Sequence, residues 1–451
     1  MLLPGTTRER RRAPAVLARR RALWTAIVVA AIAAPVPLLF AVGPPGRRPL
    51  LEVAAACGLL ALSTLAVQLV LPARLPWPTA ALGIDRILRL HRPLGFAVLV
   101  LVLAHVALIV GDDPGQLRLL DPLGAPNRAR AAVVALVLLV ALIGLSVARR
   151  RLGLRYGWWR LGHVALALGV LGLAAGHALA AGAHLRGGAQ RGVLAALLVG
   201  AVAAVVHLRI MRPARRRGRR YHLEALRPER GGAVTLALRS DGHPGRAFSP
   251  GQFVWLTDGG GVASTLLEHP FSLSSSADSP DRPELTIKAA GAFTRGLGAL
   301  SPGDRVLLDG PHGSFRPSRA GGGMVLIVGG IGITPAMSVL RTFADRGDRR
   351  RHVLLYGSRE WDAVTFREEL EALRTRLDLR VVHILERPPA GWRGEVGRFG
   401  PEVLTRHLPV ARRAHQYLVC GPPPMVRVVA PALTRLGVPR DLTHVERFGI
   451  A

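Results

Sequence analysis

HRPLGFAVLVLVLAH (residues 91–105) and HVALALGVLGLAAGH (residues 163–177) are two apolar stretches, each closed at both ends by histidine. In both, the histidines stand fourteen positions apart. At about 100° per residue, fourteen helical steps return to within about 40° of the starting direction. Each pair therefore shares one helix face, with roughly 21 Å between its members along the axis.

Around these two stretches the first half of the chain is a series of apolar runs. A bilayer core takes roughly 20 apolar residues per helix. Six segments meet that need: 22–42, 50–71, 92–111, 131–148, 161–183 and 192–211. Pro35 and Pro37 kink the first. Its basic start and short apolar core also suit a cleaved signal sequence. The spanning-helix reading is kept, and the order of the remaining helices is the same under either.

The chain has 451 residues, is 50% hydrophobic and carries a net charge of +31. A soluble protein does not combine these; a membrane protein with basic flanks does. The charge is almost wholly arginine, Lys288 being the only lysine. It clusters beside the spans, as anionic lipid and insertion topology require, so nucleic acid is not expected as a partner. Arg8, Arg19, Arg86, Arg89, Arg149, Arg160 and the run at 212–220 fall on one side. The positive-inside rule puts that side, with the N-terminus and the C-terminal half, in the cytoplasm of a multi-pass cell-membrane protein. Cys57 and Cys420 are too few for a cysteine-held iron–sulfur cluster or a disulfide framework.

The third and fifth segments run in the same direction. His91 can then face His163 at the cytoplasmic end, and His105 can face His177 nearer the outside. Two facing imidazoles are an axial pair for a six-coordinate haem iron, so two b-type haems are expected. Ionisable groups within a membrane are costly and mark function. His184 and His207, near helix ends, are left unassigned.

The remainder divides into a basic linker (212–221), a region of short strands (222–320) and an α/β region (321–451), after a transmembrane region (1–211). Val234–Leu238, Gln252–Leu256, Leu285–Lys288 and Arg305–Leu308 suit a small β-barrel. From Met324 the pattern changes to buried-type strands at Met324–Val328, His352–Tyr356, Arg380–Leu385 and Gln416–Val419. The fold class is thus a membrane all-α bundle of about six helices, then a β-barrel and an α/β nucleotide-binding domain. GGIGITP (329–335) follows the first α/β strand and opens a helix through Phe343. Its glycines admit a pyrophosphate at the helix N-terminus.

The motifs HPFSLSS (269–275), GAFT (291–294), GPHGSF (310–315), GGIGITP (329–335), CGPPPM (420–425) and Glu446-Arg447-Phe448 occur in that order. The ordered set resembles the ferredoxin–NADP reductase superfamily. With the histidine-bearing spans in front, residues 50–451 resemble the ferric reductase and NADPH oxidase group. The resemblance implies that His269, Pro270, Phe271, Ser272, Leu273 and Ser274 bind FAD, Phe271 against the ring and Ser272 near its reactive nitrogen. Soluble relatives carry arginine where this chain has His269. Lys288 and Thr294 would hold flavin phosphates. Gly330, Gly332, Thr334 and Pro335 would cradle the nicotinamide pyrophosphate, with Gly421 and Pro422 beside it. Cys420 would adjoin the nicotinamide carbon, its alternative being a small buried residue at a strand end. Glu446 and Phe448 would complete the catalytic set, Phe448 (or Ile450) covering the flavin. Ser358 and Arg359 suit the 2′-phosphate of NADPH in preference to NADH.

The implied route is NAD(P)H, FAD, the His91/His163 haem, the His105/His177 haem and an external acceptor. Three acceptors stand open. Ferric chelates come first, with Asp112, Asp113 and Asp121 as cation-attracting loop acids. Dioxygen comes second, with His184 and Arg186 above the outer haem. A docked partner protein comes third.

Overall fold

The computed structural model describes residues 7–40, 48–73, 84–149, 151–154, 156–182, 184–185, 187–211, 220–258, 268–289, 291–313, 315, 317 and 321–447. The chain forms two compact units, residues 1–214 and 215–451.

The first unit is all helical. It comprises α1 (Thr7–Ala33), α2 (Pro35–Phe40), α3 (Pro49–Val70), α4 (Ile84–Asp112), α5 (Asn127–Ala148), α6 (Tyr156–Ala181) and α7 (Gly188–Val206). Among the described residues, five helices are long and apolar enough to cross a membrane: 49–73, 87–112, 127–148, 156–181 and 188–206. The expected first span differs. The helix is interrupted at Ala34, before Pro35, and the apolar stretch across this kink, Ala22–Pro37, is shorter than the five spans. Proline at 35 removes a helical donor and clashes with the preceding turn. The N-terminal third of α1 is arginine-rich, so its apolar part is short. Val100, Val137, Trp158 and Val199 face outward on the bundle, as a lipid solvent allows.

The second unit contains β1–β6 and a short helix, then an α/β layer. β1 (Arg220–Glu229), β2 (Ala233–Ser240), β3 (Phe253–Asp258), β4 (His269–Ser272), β5 (Glu284–Lys288) and β6 (Arg305–His312) order as β4-β3-β6-β1-β2-β5. Every pairing is antiparallel. A bridge from Leu273 to Leu285 brings the two edges together, so the barrel nearly closes. Arg220 and Tyr221, expected in the linker, are already in β1, paired with Leu307 and Val306. Helix α8 (Ala292–Gly296) lies between β5 and β6.

β7 (Met324–Gly329), α9 (Ile333–Asp345), β8 (His352–Ser358), α10 (Arg367–Arg376), β9 (Leu379–Leu385), β10 (Glu395–Val396), α11 (Pro401–His407), β11 (Gln416–Gly421), α12 (Pro423–Arg435) and β12 (Thr443–Arg447) complete the chain. The sheet is parallel throughout, in the order β10-β9-β8-β7-β11-β12. All six residues of β7 are buried, because helices cover both faces of a parallel sheet. Truncating Leu326 to alanine there costs about 2–5 kcal/mol. Sequence order reverses between β7 and β11, and ligands of such sheets sit at the strand C-termini beside that reversal.

Candidate functional site

In the helical unit the four histidines come together as two pairs. The ring centres of His91 and His163 are 6.1 Å apart, and those of His105 and His177 are 6.3 Å apart. A metal–imidazole bond is about 2 Å, so two imidazoles on one iron have ring centres about 6 Å apart. Both pairs fit that spacing. Among the described residues no cluster of three or more His, Cys, Asp or Glu could hold a bare metal ion.

The Nδ1 atoms say which nitrogen each ring presents. His105 Nδ1 is 2.7 Å from Ala54 O, and His177 Nδ1 is 2.8 Å from Arg128 O. A carbonyl only accepts, so each Nδ1 carries the proton and each Nε2 keeps its lone pair. Such outer hydrogen bonds orient metal-binding imidazoles and raise their basicity. His163 Nδ1 meets Ser146 Oγ at 3.1 Å. His91 differs. The Gln68 amide donates to His91 O (2.9 Å), accepts from Gly95 N–H (2.7 Å) and sets its NH2 2.6 Å from His91 Nδ1. Gln68 thus splices the helical bond between residues 91 and 95, next to the kink-forming Pro93. Gln68 and Ser146 were missed from sequence. The one signal was a polar side chain inside an apolar run.

The expected cation-attracting acids are locally engaged. Asp112 accepts from Arg48 at 3.2 Å. Asp113 accepts from Gly115 N–H and Gln116, and Asp121 from Leu123 N–H. These bonds hold both Asp113 and Asp121 below the usual carboxylate range. His184 is buried, stacked on Phe40 at 4.1 Å and bonded to Glu52 at 2.7 Å. Arg186 lies outside the described residues.

In the second unit, HPFS forms β4 against β3, Ser272 opposite Phe253 and His269 opposite Leu256. His269 stacks on Phe293 at 3.8 Å and 11°, and Phe271 lies nearly parallel to the same ring at 6.2 Å. Two expected motifs thereby join in one aromatic platform, centred on Phe293, a residue passed over within GAFT. Leu273 and Ser272 are buried, and Ser274 Oγ turns into the barrel toward Thr286 at 2.9 Å. Thr294 Oγ1 caps α8 by accepting from Gly291 N–H. Lys288 is exposed at the end of β5.

At the reversal in the parallel sheet, Gly330 has φ +53°, a backbone that favours glycine. A Cβ on Gly332 would lie 2.3 Å from Cys420 O, so only glycine lets this loop approach β11. The first turn of α9 carries Thr334 and Pro335 and has no side-chain cap, an arrangement that can receive an anion. Cys420 is fully buried, level with Val328 on one side and Glu446 on the other, just before Gly421 and Pro422. Ser358 is buried at the end of β8 and Arg359 is exposed beyond it. Close by, burial pushes Tyr356 up to about 12 and His383 down to about 4, so both are neutral at pH 7. Phe448 and Ile450 lie outside the described residues.

Residues 57–174 match the family described as ferric reductase like transmembrane component, and residues 326–430 match the oxidoreductase NAD-binding domain. NADH-cytochrome b5 reductase 1 of Cryptococcus neoformans is 31% identical over 36% of this chain and 60% of its own length. The reductase component of propane 2-monooxygenase from Rhodococcus jostii is 32% identical over 48% of this chain and 59% of its own. The chain thus spans about 60% of the length of these curated relatives. A solved ferredoxin reductase in carbazole 1,9a-dioxygenase is 26% identical, with TM-score 0.45, over 51% of this chain and 69% of that one. With one family match in each of its two units, the chain carries a ferric reductase-like transmembrane component followed by an oxidoreductase NAD-binding domain.

Proposed function

We propose that the protein is a transmembrane NAD(P)H-dependent oxidoreductase that passes electrons through FAD and two b-type haems to an acceptor outside the cytoplasm, ferric chelates foremost. The observation that carries the reading is the pair of histidine ring separations, 6.1 and 6.3 Å, on two helices of one bundle. The flavin supplies the step from a two-electron hydride to single electrons that haem iron requires.

The chain's own residues bind and place these groups. His91 with His163 and His105 with His177 would hold the irons, the acceptors on Nδ1 of His105, His163 and His177 fixing those three rings. His269, Phe271 and Phe293 present an aromatic wall to the flavin ring, with Ser272 beside its reactive nitrogen and Lys288 reaching its phosphates. Gly330, Gly332 and the N-terminus of α9 receive the nicotinamide pyrophosphate. Arg359 pairs with a 2′-phosphate, which selects NADPH. Cys420 and Glu446, neighbours across β11 and β12, flank the nicotinamide end. Arginine placement puts the second unit in the cytoplasm of a cell-membrane protein.

Ferric chelate is preferred because the transmembrane match is to ferric reductase-like components. Dioxygen is the second reading, kept by the buried His184–Glu52 pair, two residues from the Ala54 carbonyl that holds His105. The test is to reduce the detergent-purified protein with NADPH without oxygen and follow the haem absorption. Reoxidation by ferric chelate under nitrogen supports ferric reduction. Reoxidation by oxygen alone, with superoxide trapped, supports the oxidase. Absence of a haem band overturns both.

A further inference from the structure

Arg341 belongs to none of the motifs above, yet it joins the two halves of the second unit. It lies on α9, eight residues after Ile333, so roughly 12 Å along the helix from the dinucleotide loop. Its Nη1 donates to Ser274 O at 2.9 Å, inside the HPFSLSS segment, and to Glu284 Oε2 at 2.7 Å on β5. Its Nε and Nη2 fork onto Glu369 of α10 at 2.6 and 2.7 Å. The guanidinium also lies over the Phe366 ring at 5.1 Å. Four of the five N–H groups of the planar fork are therefore used, which a point-charge lysine cannot reproduce.

The neighbouring contacts repeat the link. Ala277 N–H donates to Thr342 Oγ1 at 2.9 Å, and Arg346 forks onto Asp278 at 2.6–3.1 Å. Residues 341 and 342 of α9, with Arg346 at its C-terminal cap, thus hold residues 274, 277 and 278 of the segment that follows β4. That helix begins at the GGIGITP loop, and that segment continues directly from His269–Ser272. A single rigid element connects the two binding motifs.

We propose that Arg341 is a positioning residue: it fixes the flavin-binding strand relative to the nicotinamide-binding loop and so sets the distance for hydride transfer. The inference rests on the proposed reading of the second unit as a flavin and nicotinamide module. Arg341 touches neither group; it acts through Ser274 and α9.

The test compares the full-length protein with Arg341→Met, Arg341→Lys and, as a control away from the seam, Arg374→Ala, whose exposed side chain bonds only Glu371 of its own helix. NADPH is mixed anaerobically with each in a stopped-flow instrument, and FAD content, NADPH affinity, charge-transfer absorbance and the FAD reduction rate are recorded. A displacement of about 1 Å at a reacting centre costs on the order of a hundredfold. Arg341→Lys is expected to keep FAD and NADPH affinity, lose the charge-transfer band and slow reduction by about that factor. Arg374→Ala is expected to reduce FAD at the wild-type rate. Wild-type kinetics in Arg341→Lys overturn the proposal, as does loss of FAD from Arg341→Lys and Arg341→Met alike, which marks a folding clamp. Failure of wild-type FAD to reduce with NADPH or NADH overturns the underlying reading instead.

Discussion

His163 Nδ1 lies 3.1 Å from the hydroxyl oxygen of Ser146, and that hydroxyl has already given its proton to Leu142 O, 2.6 Å away. The hydroxyl can therefore only accept from the ring, which fixes the Nδ1–H tautomer. Ser146 stands seventeen residues before His163 and on another helix, so only the packing of α5 on α6 brings the two together.

Replacing Ser146 by alanine removes that acceptor and leaves both proposed haem ligands, His91 and His163, in place. The imidazole becomes less basic and favours ferrous iron. One hydrogen bond is worth about 1 kcal/mol, equivalent to roughly 40 mV for one electron. The expected outcome is an upward shift of about that size in one haem midpoint potential, with haem content unchanged. A redox titration followed by optical absorption measures it, and two unshifted potentials would refute the role.

Gly58 is set against the other pair. A Cβ at this position would sit 3.1 Å from His105 Nδ1. Gly58→Leu is therefore expected to push the His105 ring off Ala54 O and reduce haem content from two per chain toward one. FAD should remain reducible by NADPH, because Gly58 lies in the helical unit. A pyridine haemochrome assay on the purified protein decides; full haem content would show that the ring does not depend on this contact.

Gln68 offers the third test. Its amide is the splice between His91 O and Gly95 N–H, and Pro93 prevents the helix from closing up normally around it. Gln68→Leu leaves two backbone groups without side-chain partners in an apolar setting, a loss of about 1–3 kcal/mol. The His91/His163 site is expected to lose haem or its low-spin signature in electron paramagnetic resonance, while the His105/His177 signal persists. Loss of both signals together would point to general unfolding of the bundle.

Much of this arrangement is written in local patterns. The fourteen-residue histidine spacing states the pairing, and the strand ranges from Val234 to Gln416 lie within or beside observed strands because β-branched and aliphatic runs bounded by glycine and proline have few other solutions. What could not be read depends on tertiary partners. Phe293 stacks on His269 only because α8 folds back over β4. Arg341 looks like one more arginine in an arginine-rich chain until Ser274, Glu284 and Glu369 converge on it. The first apolar segment is interrupted at Ala34, as the kink expected from Pro35 and Pro37 implies, but the shortness of its apolar part depends on where α1 ends.

Acid should weaken the second unit in a defined window. Burial in the parallel sheet lowers both His352 and His383 to about 4, from 6.5 for the ordinary side chain. Asp348 beside His352 opposes the shift without cancelling it. Above pH 6.5 both rings are neutral whether folded or unfolded, so folding is undisturbed. Between 6.5 and 4 the unfolded chain binds protons that the folded one refuses, so stability falls as pH falls through that range. Trp361 and Trp392 report on it directly: Trp361 packs edge-on against His383 at 5.1 Å and Trp392 lies 5.2 Å from Trp361. Thermal unfolding followed by tryptophan fluorescence should show a midpoint that declines from pH 7 to pH 4.5. His383→Phe keeps the aromatic packing and removes one titrating group, so its decline should be shallower. A slope equal to wild type would assign the acid sensitivity to other groups.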